Sequence, residues 1–166
     1  AGRTANDEPR YRGERIAVVI PAYNEEKLIG EVLVGIPDYV ARVYAVNDGS
    51  TDRTGAIIDA YARHDARVVP IHHNPNRGVG AAITAGYKRA IEDGMDIAAV
   101  MAGDNQMDPG YLPSLLDPIV DGRADYAKGN RLISDAYRAG MSGWRSFGNS
   151  LLTFLTKVAS GYWQMM

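Results

Sequence analysis

The chain has no cysteine, which excludes disulfides and thiolate metal sites and leaves the redox compartment undecided. It has no excess of basic charge. Its 18 Lys and Arg stand against 20 Asp and Glu, a net charge of -2 with the signs mixed, so there is no basic field to hold nucleic acid. No stretch reaches the roughly 18 uninterrupted apolar residues of a membrane span; near the end the longest charge-free run, residues 146–156, has eleven. The first fifteen residues carry seven charges, one proline and two glycines and lack the apolar h-region of a signal peptide. Residues 1–14 are therefore expected to form a flexible leader. Repeats and low-complexity tracts are missing too. What is present, 166 residues of which 46% are hydrophobic and 23% charged, fits one globular domain.

Within that domain, β-rich apolar runs alternate with segments of helical period. Residues 16–20 are a continuous apolar run of the kind buried on both faces. A helical pattern follows over 25–36 through Leu28, Ile29, Val32 and Leu33. Further strands are predicted at 42–46, 67–71 and 96–101, with a short fifth at 125–128. The intervening helices are predicted to begin after Thr51 or Asp52, to span about 79–92, and to run from Pro109 to about Val120. Such alternation implies right-handed crossovers and a mostly parallel, Rossmann-like central sheet flanked by helices. Ligands of such sheets bind beyond the carboxyl ends of the strands. Here those are the loops at 21–25, 47–52, 72–80 and 102–109, all rich in polar residues, glycine and proline.

Each loop has two readings. Pro21-Ala22-Tyr23-Asn24-Glu25 is a helix start, with Asn24 as cap, or a shelf for a nucleotide base with Tyr23 as its aromatic surface. Asn47-Asp48-Gly49-Ser50 is a turn, or a place where Asp48 accepts from a base N–H or a ribose hydroxyl. Arg77 precedes Gly78-Val79-Gly80 at a helix N-terminus, which attracts phosphate; the spacing is not the dinucleotide fingerprint. Asp104 and Gln106 could aim two oxygens at one cation, whereas Asp108 before Pro109 is helix-start chemistry.

Taken in order, Val-Val-Ile-Pro-Ala-Tyr-Asn-Glu, Val-Asn-Asp-Gly-Ser-Thr-Asp, Asn-Arg-Gly-Val-Gly-Ala-Ala and Gly-Asp-Asn-Gln-Met-Asp-Pro resemble family-2 glycosyltransferases of the GT-A fold. The likeness is greatest to dolichyl- or polyprenyl-phosphate mannosyl- and glucosyltransferases. It implies that residues 15–166 form a GT-A nucleotide-sugar-binding catalytic domain, truncated at its C-terminal end. The resemblance assigns the donor nucleotide to Pro21, Tyr23, Asn24, Glu25 and Asp48, and places Arg77 and Gly78 near the diphosphate. Asn47 replaces the first carboxylate of the family's pair; its amide still accepts a hydrogen bond but adds no charge. Ala102 stands at the first position of the family's Asp-x-Asp, which leaves Asp104 and Gln106 to hold Mg2+ or Mn2+ together with donor phosphates and water.

Gly129-Asn130-Arg131 resembles the family's Gly-Ser-Arg, and Arg145 and Asn149 lie one helical turn apart. The resemblance makes Arg131, Arg145 and Asn149 the grip on an acceptor phosphate, to which a guanidinium can fork two bonds. Asp104 and Arg131 are its catalytic residues. Trp144, Phe147, Leu151, Phe154, Leu155, Val158 and Tyr162 form an apolar stripe, fitted to a membrane interface or to a packed face.

The reaction implied is an inverting transfer from a GDP- or UDP-sugar to a polyprenyl or dolichyl phosphate at the cytoplasmic face of a membrane. An anionic phosphate acceptor needs little general-base help, which fits the absence of an obvious base in these loops. A transferase with a soluble oligosaccharide or protein acceptor, a nucleotidyltransferase and a non-catalytic sugar-nucleotide-binding module are the alternatives.

Overall fold

Strand β1, Ile16–Ala22, is an inner strand of the sheet, and only Pro21 of its seven residues is not buried. The computed structural model describes residues 8–105 and 107–129. Alternation along β1 divides the core into two layers. Ile16, Val18, Ile20 and Ala22 face one and Ala17 and Val19 the other, and burial of each large side chain contributes about 1.5–3 kcal/mol.

On either side of β1 the sheet is parallel throughout, in the order β3-β2-β1-β4, with β2 at Val40–Asp48, β3 at Val68–His73 and β4 at Ile97–Val100. The chain steps from β1 to β2 to β3 through α1, Ile29–Val34, and α2, Thr54–His64. Ile29, Val32, Leu33 and Ile58 of these helices cover the first layer. It then returns past β1 through α3, Val79–Glu92, whose Ala82 and Ala90 belong to the second layer. Reversal of direction moves the helix to the opposite face, as right-handed crossovers require. The strand order switches between β1 and β4, so a crevice is expected at their carboxyl ends. A 3-10 turn at Pro109–Tyr111 leads into α4, Leu112–Val120, whose Leu112 and Leu116 close the first layer.

Three expectations change. The first helix is shorter than 25–36, because residues 26–28 form turns and the helix proper starts at Ile29. Asp125–Lys128 is not a strand: the run has charges at both ends, and Tyr126 is 77% exposed. Finally, residues 8–14 of the predicted leader are anchored to the domain. Tyr11 donates to Asp117 (2.8 Å) and stacks at a tilt on Tyr39. Arg12 pairs with Asp117 and Asp121, and Glu8 with Arg42. The charges that read as solvated leader find partners on α4 and β2.

Candidate functional site

Four loops leave the carboxyl edge of the sheet, and hydrogen bonds or close backbone approaches join each to a neighbour. The first and second are stitched reciprocally. Asn24 donates its amide to Ser50 Oγ (3.0 Å), and its side-chain oxygen accepts from the Thr51 amide (2.9 Å). The Glu25 amide donates to Thr54 Oγ1 (2.8 Å). Glu26 donates its amide to Asp52 Oδ2 (3.1 Å) and accepts from the Arg53 amide (3.1 Å). Asn24 therefore does not cap α1; it spans the gap between loops from a left-handed backbone at φ 56°, a conformation asparagine tolerates better than most residues. Asp52 also accepts from the Thr54 amide and hydroxyl, so of the two candidate caps for α2 it is the one engaged there. Tyr23 stays half exposed beside this seam.

The second and third loops meet around Asp48. Parallel register sets Asn47 against His72 and Asp48 against His73. Asp48 is only 3% exposed. Its Oδ1 accepts from His73 Nδ1 (2.6 Å) and the Arg77 amide (3.0 Å), and its Oδ2 accepts from the Gly78 amide (2.7 Å). Burial pushes this carboxyl up, but the hydrogen bonds from His73, Arg77 and Gly78 outweigh it and hold the group below the usual carboxylate range. Asn76 completes the joint by donating to the Asp48 carbonyl (2.8 Å). Gly49, at φ 70°, allows the approach: a Cβ there would lie 2.5 Å from the Asn76 nitrogen.

Asn47 is engaged in the same region. Its oxygen accepts from the Ser50 amide (3.1 Å), and its nitrogen lies 3.1 Å from His72 Nδ1, whose Nε2 faces Asp59 (3.0 Å). Arg77 is exposed, and its guanidinium has no hydrogen-bond or ion-pair partner among the described residues.

The fourth loop lies against the first. A Cβ on Gly103 would stand 3.2 Å from both the Pro21 carbonyl oxygen and Ala22 Cβ, so glycine lets this backbone settle on the end of β1. That contact sets half-buried Asp104 next to the β1 terminus. Asn105, at φ 56°, donates to Glu31 of α1 (3.1 Å). Asp108 accepts from the Gly110 amide (2.8 Å) with Pro109 at the first helical position, as its sequence predicts.

Pro21, Tyr23, Asn24, Glu25, Asn47, Asp48, Arg77, Gly78 and Asp104 are thus on four loops, each in contact with at least one of the others. Gln106, Arg131, Arg145 and Asn149 lie outside the described residues, as does the apolar stripe over 144–163. Among the described residues no three His, Asp or Glu side chains form a metal-holding cluster. Ser50, Thr54, His73 and Asn76 were not singled out from sequence. The available signal was that β2 and β3 each end in two polar residues, Asn47-Asp48 and His72-His73, which only the strand register pairs.

Comparison with known proteins places this arrangement. The model of the family described as Glycosyl transferase family 2 matches residues 17–159. The chain is 31% identical to a UDP-N-acetylglucosamine–dolichyl-phosphate N-acetylglucosaminyltransferase of Methanococcus voltae, over 89% of this chain and 64% of that protein. It is 36% identical to a polyprenol monophosphomannose synthase of Mycolicibacterium smegmatis, over 72% of this chain and 46% of that one. With an undecaprenyl-phosphate mannosyltransferase of Micrococcus luteus it shares 33% identity, over 72% and 49%. The chain spans roughly half to two thirds of the length of these curated relatives. Among solved structures, a glucosyl-3-phosphoglycerate synthase of M. tuberculosis superposes with a TM-score of 0.52 at 26% identity, over 67% of this chain and 42% of that one. S. aureus TarS in complex with UDP does so with a TM-score of 0.52 at 24% identity, over 65% and 32%. The fold is the GT-A type, a mostly parallel sheet with flanking helices.

Proposed function

Because the chain belongs to glycosyl transferase family 2, we propose that it moves a sugar from a nucleoside-diphosphate donor to a polyprenyl- or dolichyl-type lipid phosphate, with inversion at the anomeric carbon. The observation that carries this reading is the convergence of the four strand-end loops, held together by Asn24, Asp48, Asn76 and Gly103. The names of the three curated relatives, all transferases or synthases for polyprenyl-type phosphates, support the acceptor class.

In this reading the first two loops hold the nucleoside, with exposed Tyr23 offered to the base and Pro21, Asn24, Glu25 and Asn47 shaping the shelf around it. Arg77, on the loop fixed by Asp48, is available to pair with the diphosphate. Asp104 and Gln106 form a sparse, all-oxygen donor set, which suits Mg2+ or Mn2+ because those ions keep waters and take substrate phosphates as further ligands. A cation bound there would offset the charge that gathers on the leaving diphosphate.

An anionic oxygen of the acceptor phosphate forms the new bond to the anomeric carbon as the bond to the nucleoside diphosphate breaks. The attacking oxygen carries no proton to be removed. Arg131, Arg145 and Asn149 are assigned to the acceptor phosphate, and the apolar stripe and a site at the cytoplasmic membrane face complete the proposal.

The test is incubation of the full chain with polyprenyl phosphate in detergent and, in separate arms, radiolabelled GDP-mannose or a UDP-sugar. Label passing into the lipid phase with release of GDP or UDP is expected. Release of GMP or UMP with transfer of the sugar phosphate, or transfer only to soluble acceptors, would overturn it. The likeness to glucosyl-3-phosphoglycerate synthase favours a soluble phosphorylated acceptor as the second reading, so phosphoglycerate belongs among the acceptors assayed.

A further inference from the structure

We propose that His73 is a positioning residue which, through the Asp48 carboxylate, sets where Arg77 and the first turn of α3 stand. The inference rests on the donor-site reading above, since it concerns the loop assigned to the donor diphosphate.

The two side chains are buried together at the ends of adjacent parallel strands, 8% exposed for His73 and 4% for Asp48. An ionised carboxylate only accepts hydrogen bonds. The proton between them therefore sits on His73 Nδ1, whether the ring is neutral or cationic. At 2.6 Å this is the shortest of the three bonds the carboxylate receives, the others coming from the amides of Arg77 (3.0 Å) and Gly78 (2.7 Å). Such charge-assisted bonds are both strong and directional.

Those two amides precede α3, which begins at Val79, and through them the carboxylate fixes the turn that leads into the helix. The Arg77 guanidinium and the start of α3 therefore stand on a backbone that Asp48 has already fixed. Gly78 at φ 86° and the Asn76 side chain, which accepts from the Gly78 amide at 3.0 Å, hold the other side of the turn. Without the His73 donor, Asp48 Oδ1 keeps only the Arg77 amide, and the carboxylate loses the contact that fixes its rotation.

Three variants separate positioning from bulk packing. In His73→Asn the amide nitrogen stands near the Nδ1 position. In His73→Gln it reaches instead toward Nε2. His73→Leu keeps volume and removes the donor. Hydrogen exchange and calorimetric titration with GDP and with UDP are measured on each full-length chain.

We expect Leu and Gln to lower protection of the Arg77 and Gly78 amides and to weaken nucleoside-diphosphate binding about tenfold, with β1 amides unchanged. Asn should retain both properties. Unaltered protection in His73→Leu, or lost protection with unaltered affinity, would overturn the proposal. Should His73→Leu fail to fold, the contrast between Asn and Gln decides in the same way. Wild-type chain that binds neither GDP nor UDP would instead defeat the donor-site reading, while exchange at Arg77 and Gly78 still reports whether His73 holds the loop.

Discussion

Asp48 and Asp104 differ in burial and in the roles proposed for them. Asp48 is buried and receives three hydrogen bonds, so its visible work is to join two loops. Replacing it by Asn would turn an NH2 group toward one of three N–H donors. Asp48→Asn is expected to cost about 1–3 kcal/mol of stability, measurable by urea denaturation. Its pH dependence has a definite sign. Burial raises the carboxyls of Asp48 and Asp52, but hydrogen bonds from His73, Arg77 and Gly78 on the one and from Thr54 and Glu26 on the other lower them further. Folded values below the unfolded value of about 3.9 give stability that is complete above that pH and lost as pH falls through the folded values. The wild type should therefore lose stability below about pH 4, and Asp48→Asn should show a shallower acid limb in the same titration. Asp104 is only half buried, so Asp104→Ala should leave the chain folded while lowering transfer by roughly a hundredfold or more. Equal loss of folding and transfer would place Asp104 in the scaffold instead.

At the level of elements, α3 is the piece that the sheet and the site share. A Cβ at Gly86 would overlap the methyl groups of Val19 on β1, so the helix can lie this close only with glycine there. Gly86→Ala is expected to push α3 outward at a cost of about 1–3 kcal/mol. Because the same helix begins at the Arg77-Gly78 loop, donor affinity should fall along with stability. Thermal melts and donor titration on the one variant check both.

The periodicity of 79–92 predicts this helix to its observed ends, and the apolar runs locate all four strands. Asp125–Lys128 is not the strand expected, because two apolar residues between charges say nothing about whether a partner strand is available. The cap reading of Asn24 gives way to a bridge between loops because the two require the same residue type. The Asp48–His73 contact was not legible, because register between strands is a tertiary property.

At the scale of the whole molecule, two core layers on the four-stranded parallel sheet of the described residues put the four strand-end loops on one edge, and that much follows from the order of apolar and polar segments. Whether the edge works as one site depends on contacts between loops distant in sequence, such as Asn24 with Thr51 or Gly103 with Pro21. The account's central claim is that these loops together hold a nucleoside diphosphate. It is tested most directly by calorimetric titration of the full chain with a panel of GDP- and UDP-sugars, with and without Mn2+, in the wild type and in Asp104→Ala. One base should bind at least about tenfold more tightly than the other, the preference should strengthen with Mn2+, and that gain should vanish in Asp104→Ala. Equal, feeble binding of every donor, indifferent to Mn2+ and to Asp104, would contradict it.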